Sequence, residues 1–177
     1  MTLDMCGGLF RRKLLRPARP MPAGLFVRLA ACVAVAEMLV YAAQKVYMAV
    51  RGETGMPGHP APAAVQAQFA PAGLAQAGNA ALGVLAALVA LASVTRWGAR
   101  IPRWALCCAL ALALVMLSLG AVATIGRTDF AWDRLGRGGV LGCVREGAQF
   151  GAWLVVTVSY GLRTRPHRDR PATGAGR

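Results

Sequence analysis

Nine side chains able to do polar chemistry sit where this sequence is otherwise apolar. Glu37, Tyr41, Gln44 and Lys45 fall within the run LFVRLAACVAVAEMLVYAAQKVYMAV, from Leu25 to Val50. Gln76 and Asn79 open the run AGLAQAGNAALGVLAALVALASV, and Arg145, Glu146 and Gln149 stand early in a last apolar segment. At about 100° per residue, Glu37, Tyr41 and Gln44 share one helical stripe with Lys45 at its edge. Gln76 and Asn79, three apart, share a face of their own helix. An ion among apolar groups must pair, neutralise or reach water, and a mid-depth carboxylate costs roughly 2.5–3.5 kcal/mol on insertion scales. The set therefore supports two kinds of chemistry. Lys45 with Glu146, and Glu37 with Arg145, are opposite charges able to fix helices in register. Alternatively, the nine groups line a pocket for a small polar or amphiphilic ligand, with Glu37 or Glu146 as proton acceptor. Register is the expectation, because paired charges leave no free group for a substrate.

Nothing selects a reaction. No Ser/His/Asp set, Gly-rich phosphate loop or HExxH run occurs, and both His59 and His167 lie outside the apolar segments. The five cysteines (Cys6, Cys32, Cys107, Cys108, Cys143) form no Cys-x-x-Cys and read as small packing residues rather than a disulfide framework. The expectation is no catalytic residue, no metal site and no cofactor.

The elements that must hold the nine groups are helices. Hydrophobic residues make up 56% of the 177, and the mean hydropathy is +0.49, too apolar for an ordinary soluble domain. No charge interrupts the chain between Pro71 and Arg96, or between Arg103 and Arg127. Four candidate spans follow, about 25–50, 72–94, 104–125 and 140–162, each long enough to cross the roughly 30 Å of a bilayer core. The predicted fold is all-α, a polytopic membrane protein with a four-transmembrane-helix bundle over 25–162. Residues 1–24 and 163–177 are basic tails. The first span is too long, and with Glu37 and Lys45 too polar, for a cleaved signal peptide, and Met21 is a second candidate start. Between the first two spans, glycines and prolines exclude a regular element at first, and 64–70 suits a turn or two of surface helix with Phe69 dipping inward. Trp97 and Trp104 bracket the short basic loop TRWGARIPR, and Phe130 and Trp132 anchor the last loop.

The formal net charge of +13 comes from Lys/Arg flanking the apolar spans, with no folded basic module, so nucleic acid is not the expected partner. The two tails and the 95–103 loop hold thirteen Lys/Arg; the other two loops hold four. Both termini are thus predicted to be cytoplasmic, in a bacterial plasma membrane, with anionic lipid headgroups at the tails. On this topology Lys45 lies about 7–8 Å below the outer end of its span and Glu146 at matching depth. Cys143, Gly147 and Gly151 form a small-residue stripe suited to close helix packing, within the monomer in preference to a homodimer.

The segments RGETGMPGHPAP, GNAALGVLAALVALA and RWGARIPRW resemble parts of small four-span membrane proteins of unknown function from actinobacteria. That resemblance covers much of residues 25–110, carries no catalytic motif and assigns no activity. The residues themselves point to a structural or accessory bundle, with a membrane-protein partner or a homodimer as its associations. The chain is also similar to small multidrug resistance transporters in helix number and a first-span glutamate. Glu37 alone carries over, and it implies proton-coupled export as the alternative function. Membrane thiol oxidoreductases of the vitamin K epoxide reductase type share a four-helix core, but adjacent Cys107 and Cys108 do not reproduce their Cys-x-x-Cys.

The charge asymmetry makes a direct prediction. Reporter fusions at the C-tail and within 95–103 will read cytoplasmic, and fusions within 51–71 external. An external C-tail would overturn the assignment.

Overall fold

Where the chain becomes helical, and where it stops, is set by a few turn-forming residues. The computed structural model describes residues 22–57, 59–69, 71–127 and 137–164. Helix α1 (Leu25–Arg51) starts after Gly24, whose carbonyl accepts from the Arg28 N–H at 3.1 Å. It ends at Gly52, which adopts a left-handed conformation (φ 65°) that glycine enters without penalty. There the Gly52 N–H donates to the Ala49 carbonyl and the Glu53 N–H to that of Met48, capping two otherwise orphaned acceptors. The chain then folds back through a two-residue antiparallel ladder, Gly55 against Pro60 and Met56 against His59, with Gly55 also at positive φ. This ladder is a regular pairing that the Gly/Pro composition argued against. A short helix α2 (Ala63–Gln68) follows, close to the surface helix expected over 64–70, and Phe69 after it is exposed.

Helix α3 (Ala72–Val94) begins after Pro71 and leads through a 3-10 turn (Trp97–Arg100) to Pro102 and α4 (Arg103–Arg127). Pro102 is well placed there: it has no N–H to waste, and its carbonyl accepts from Leu106. The last helix is α5 (Arg137–Arg163). The architecture is all-helical apart from the ladder. The four long helices coincide within a few residues with the four apolar segments of the sequence. The expected anchors Phe130 and Trp132 and both tails beyond residues 22–164 lie outside the described residues.

Helices α1 and α3 form the most intimate pair and run antiparallel. A Cβ on Gly73 would meet the Ala49 carbonyl oxygen at 2.9 Å. One on Gly83 would meet Tyr41 Cδ1 at 3.0 Å and Ala42 Cβ at 3.3 Å. Small residues let the backbones approach this closely, and Ala31, Ala34, Ala80, Ala87 and Ala90 extend the seam. Against that pair, α5 presents Trp153, Val156 and Tyr160, and α4 presents Leu106 and Leu110; all join one core.

The other faces are apolar and uncovered. Leu82, Leu85 and Leu88 on α3 and Leu112, Val115 and Met116 on α4 are exposed. Among the described residues, α1 and α3 are long and apolar enough to cross a membrane, and Arg103–Leu119 is a shorter apolar stretch. Only 22% and 33% of the most apolar windows of α1 and α3 are buried, so neither is the buried core helix of a soluble domain.

Glycine usage yields opposite expectations at two positions. A Cβ on Gly98 would collide with the carbonyl oxygen of Ala92 and come within 2.7 Å of its carbon, both backbone, so the 3-10 turn must move. A Cβ on helical Gly78 meets nothing within 4 Å. Gly98→Ala will lower the melting temperature in detergent by several degrees. Gly78→Ala will raise it by about 2–4 °C, as expected for roughly 1 kcal/mol of helix propensity.

Candidate functional site

Arg145 on α5 reaches across to Glu37 on α1. Its Nε and Nη2 both donate to Glu37 Oε2, at 2.9 and 2.7 Å. Two charge-assisted bonds from one guanidinium fix its orientation as well as its distance. The Glu37 side chain is 25% exposed and that of Arg145 46%, so the pair sits at the rim of the helix seam rather than inside it. The expected ion pair of the first and last apolar segments is therefore formed.

The second expected pair is not. Lys45 is buried, its Nζ donating to the Gly55 carbonyl at 2.8 Å and standing 5.4 Å from the centre of the Tyr41 ring. Glu146 is exposed, and among the described residues the ion pairs are Glu37–Arg145 and the surface pair Arg51–Glu53. Helix register explains the correction. Since α1 and α5 run antiparallel with Glu37 level with Arg145, Lys45 lies eight residues farther out, about 12 Å. Glu146 is at Glu37's depth but turned about 100° away from Arg145. Because α5 begins at Arg137, Glu146 is deeper than a helix starting near 140 would place it. Lys45 instead extends its ammonium toward the loop and binds a carbonyl there, as long cationic side chains do near helix ends.

The remaining predicted residues divide among three helices. Gln44 on α1 and Asn79 on α3 are half-buried, whereas Gln76 on α3 and Gln149 on α5 are buried. Gln149 lies one turn inward from Arg145, on the same face. Gln76 follows Gly73 by one turn, across from the stretch of α1 that carries Lys45 and Ala49, and its Oε1 has no hydrogen-bond partner. Four of the nine residues thus make two centres, Glu37–Arg145 at mid-helix and Lys45–Tyr41 near the loop, rather than one cluster of nine.

Packing of the last helix also differs from expectation. Among the described residues Gly147 and Gly151 meet nothing within 4 Å of an added Cβ. Their small-residue spacing thus packs against no described helix, while the Cys143 side chain lies outside the described residues. The buried face of α5 is the opposite one, carrying Gln149, Trp153, Val156 and Tyr160. Of the adjacent thiols, Cys107 is half-buried and Cys108 exposed, and both are free. No group of three or more His, Cys, Asp or Glu is arranged to hold a metal among the described residues.

A third polar centre was missed from the sequence. At the end of the bundle away from the ladder, Arg103 Nε donates to Thr164 Oγ1 at 2.9 Å and its Nη2 to the Gly161 carbonyl at 3.4 Å. Arg163 Nη2 donates to the Ser93 carbonyl at 3.1 Å, in the last turn of α3. Each guanidinium meets carbonyls at a helix C-terminus, where the backbone leaves acceptors unpaired and the helix dipole favours a cation. The readable signal was the position of Arg163 in the final turn of its helix. Counting these arginines only as topology signals hid it.

What these centres can do is join helices: α1 to α5, α1 to the loop, and α3 and α4 to the end of α5. Glu37→Gln and Arg145→Gln will each lower the melting temperature in detergent, and the double variant will recover much of the loss. The coupling should be about 0.5–3 kcal/mol, as for contacting residues. Lys45→Met and Glu146→Gln will instead add, since those side chains do not meet. Additivity at Glu37 and Arg145 would remove the pair from the account. Comparison with protein-family models, curated proteins and solved structures finds no match to the chain, so no relative lends these centres an activity.

Proposed function

We propose that this chain is an integral membrane protein of four spans whose polar centres hold its helices in register, a structural or accessory bundle rather than an enzyme. The observation that carries the reading is the Glu37–Arg145 pair set among apolar, outward-facing helices. A carboxylate and a guanidinium each cost several kcal/mol in lipid when alone, and joining them across α1 and α5 removes most of that cost. The exposed leucines and valines of α1, α3 and α4 then face acyl chains. Trp97 and Trp104, both exposed beside the short loop, suit the headgroup boundary.

The finer topology, with both termini cytoplasmic in a bacterial plasma membrane and anionic headgroups at the basic tails, rests on the charge asymmetry of the loops. A membrane-protein partner fits the open face around Gly147 and Gly151, as does a second copy. Proton-coupled export through Glu37 is the weaker reading. The Glu37 carboxylate is already engaged by two bonds from the Arg145 guanidinium, which supports a role in joining α1 to α5.

The two functions separate in proteoliposomes. Under an imposed pH gradient, the wild type and Glu37→Gln will show the same slow proton flux. Flux that depends on Glu37 would overturn the structural reading in favour of a transporter. In native membranes, crosslinking followed by purification will recover a membrane-protein partner in constant ratio.

A further inference from the structure

Three polar atoms on one stripe of α5 are buried with no hydrogen-bond partner: Trp153 Nε1, Thr157 Oγ1 and Tyr160 Oη. Trp153 and Tyr160 are 0% and 1% exposed. They stand at i, i+4 and i+7, hence on one face, over about 10 Å of helix axis. Such groups are almost always satisfied in folded proteins, since an unmade bond forfeits the whole solvation of the atom. One orphan is an accident of packing; three in line along a seam call for a common partner. Water is the partner that usually satisfies buried polar groups of this kind, since it both donates and accepts.

The chemistry of the three groups narrows the choice. An indole N–H only donates, whereas the two hydroxyls both donate and accept, so the row can pass a hydrogen-bond chain but offers no charge to hold an ion. At one end the stripe continues to Thr164, whose Oγ1 donates to the Tyr160 carbonyl and accepts from Arg103. At the other it continues through buried Gln149 to Arg145 and Glu37. We propose that the buried face of α5 binds a short file of water molecules along Trp153, Thr157 and Tyr160, fed from the Arg103–Thr164 end and leading toward the Glu37–Arg145 pair. Water binds here as a structural ligand. It satisfies the orphaned groups and brings solvent contact to the middle of the bundle. The inference stands independently of how many helices cross the membrane.

Conservative variants of the full chain test it through the sign of their effect. If the seam is wet, Tyr160→Phe and Thr157→Val each break a bond to water, and each will lower the melting temperature by about 2–4 °C. In a dry seam the same changes remove an unpaired hydroxyl and leave stability unchanged or higher, which would overturn the proposal. The second measurement reads the water itself. The Trp153 indole N–H resonance, assigned by its loss in Trp153→Phe, will show cross-relaxation with water and exchange in D2O within minutes. Protection for hours, with no water cross-peak, would equally overturn it.

Discussion

A carboxylate on the first long helix and a guanidinium on the last one set the terms for the whole bundle. Both residues stand within their helices, and two charge-assisted bonds fix each against the other. Once Glu37 and Arg145 are level, the antiparallel course of α1 and α5 determines the rest of their contact. Trp153 then falls beside Ala31 and Ala34, and the small-residue seam between α1 and α3 closes against the same core. Lys45 lies out of reach of every acidic residue on α5 and turns to a backbone carbonyl. One ion pair thus decides the fate of a second that never forms.

The two ends of the bundle meet one physical demand with different residues. At the ladder end the carbonyl in need is in a loop, and a lysine from within α1 reaches it. At the opposite end the needy carbonyls close α3 and α5, and the two arginines that serve them come from neighbouring helices. The flat guanidinium suits the second task because it can bond a hydroxyl and a carbonyl at once, which an ammonium does less readily. Arginine therefore locks three helices together at the end where the basic charge of the described chain is concentrated.

Much of this was legible in the sequence, and where it failed the reason is specific. The four long helices follow from long apolar runs, two of them free of charge, and α3 carries the same bounds as its apolar segment. The Glu37–Arg145 pair followed from the cost of isolated charge. Lys45–Glu146 failed because depth was judged from the helix ends, and those ends are not level: with Glu37 beside Arg145, Lys45 stands opposite the start of α5. The stripe of Gly147 and Gly151 was assigned to internal packing because small residues permit close approach. Permission is not direction, and the bulky face of α5 with Trp153 and Tyr160 took the core instead. The arginine caps were invisible because the same residue type also marks the membrane boundary, and composition cannot separate the two roles.

The sequence distance between Glu37 and Arg145 has a consequence for biogenesis. The two are 108 residues apart, whereas Lys45 and Gly55 are ten apart. At synthesis rates of about 5–20 residues per second, Glu37 is made roughly 5–20 s before its partner exists. The α1–α3 hairpin, with its lysine tether and close-fitting glycines, has everything it needs to dock during that interval. The carboxylate has not, and waits without its partner until the last helix arrives. A ribosome stalled before Arg145 would leave a docked hairpin without its ionic partner, so the arrival of α5 completes the bundle.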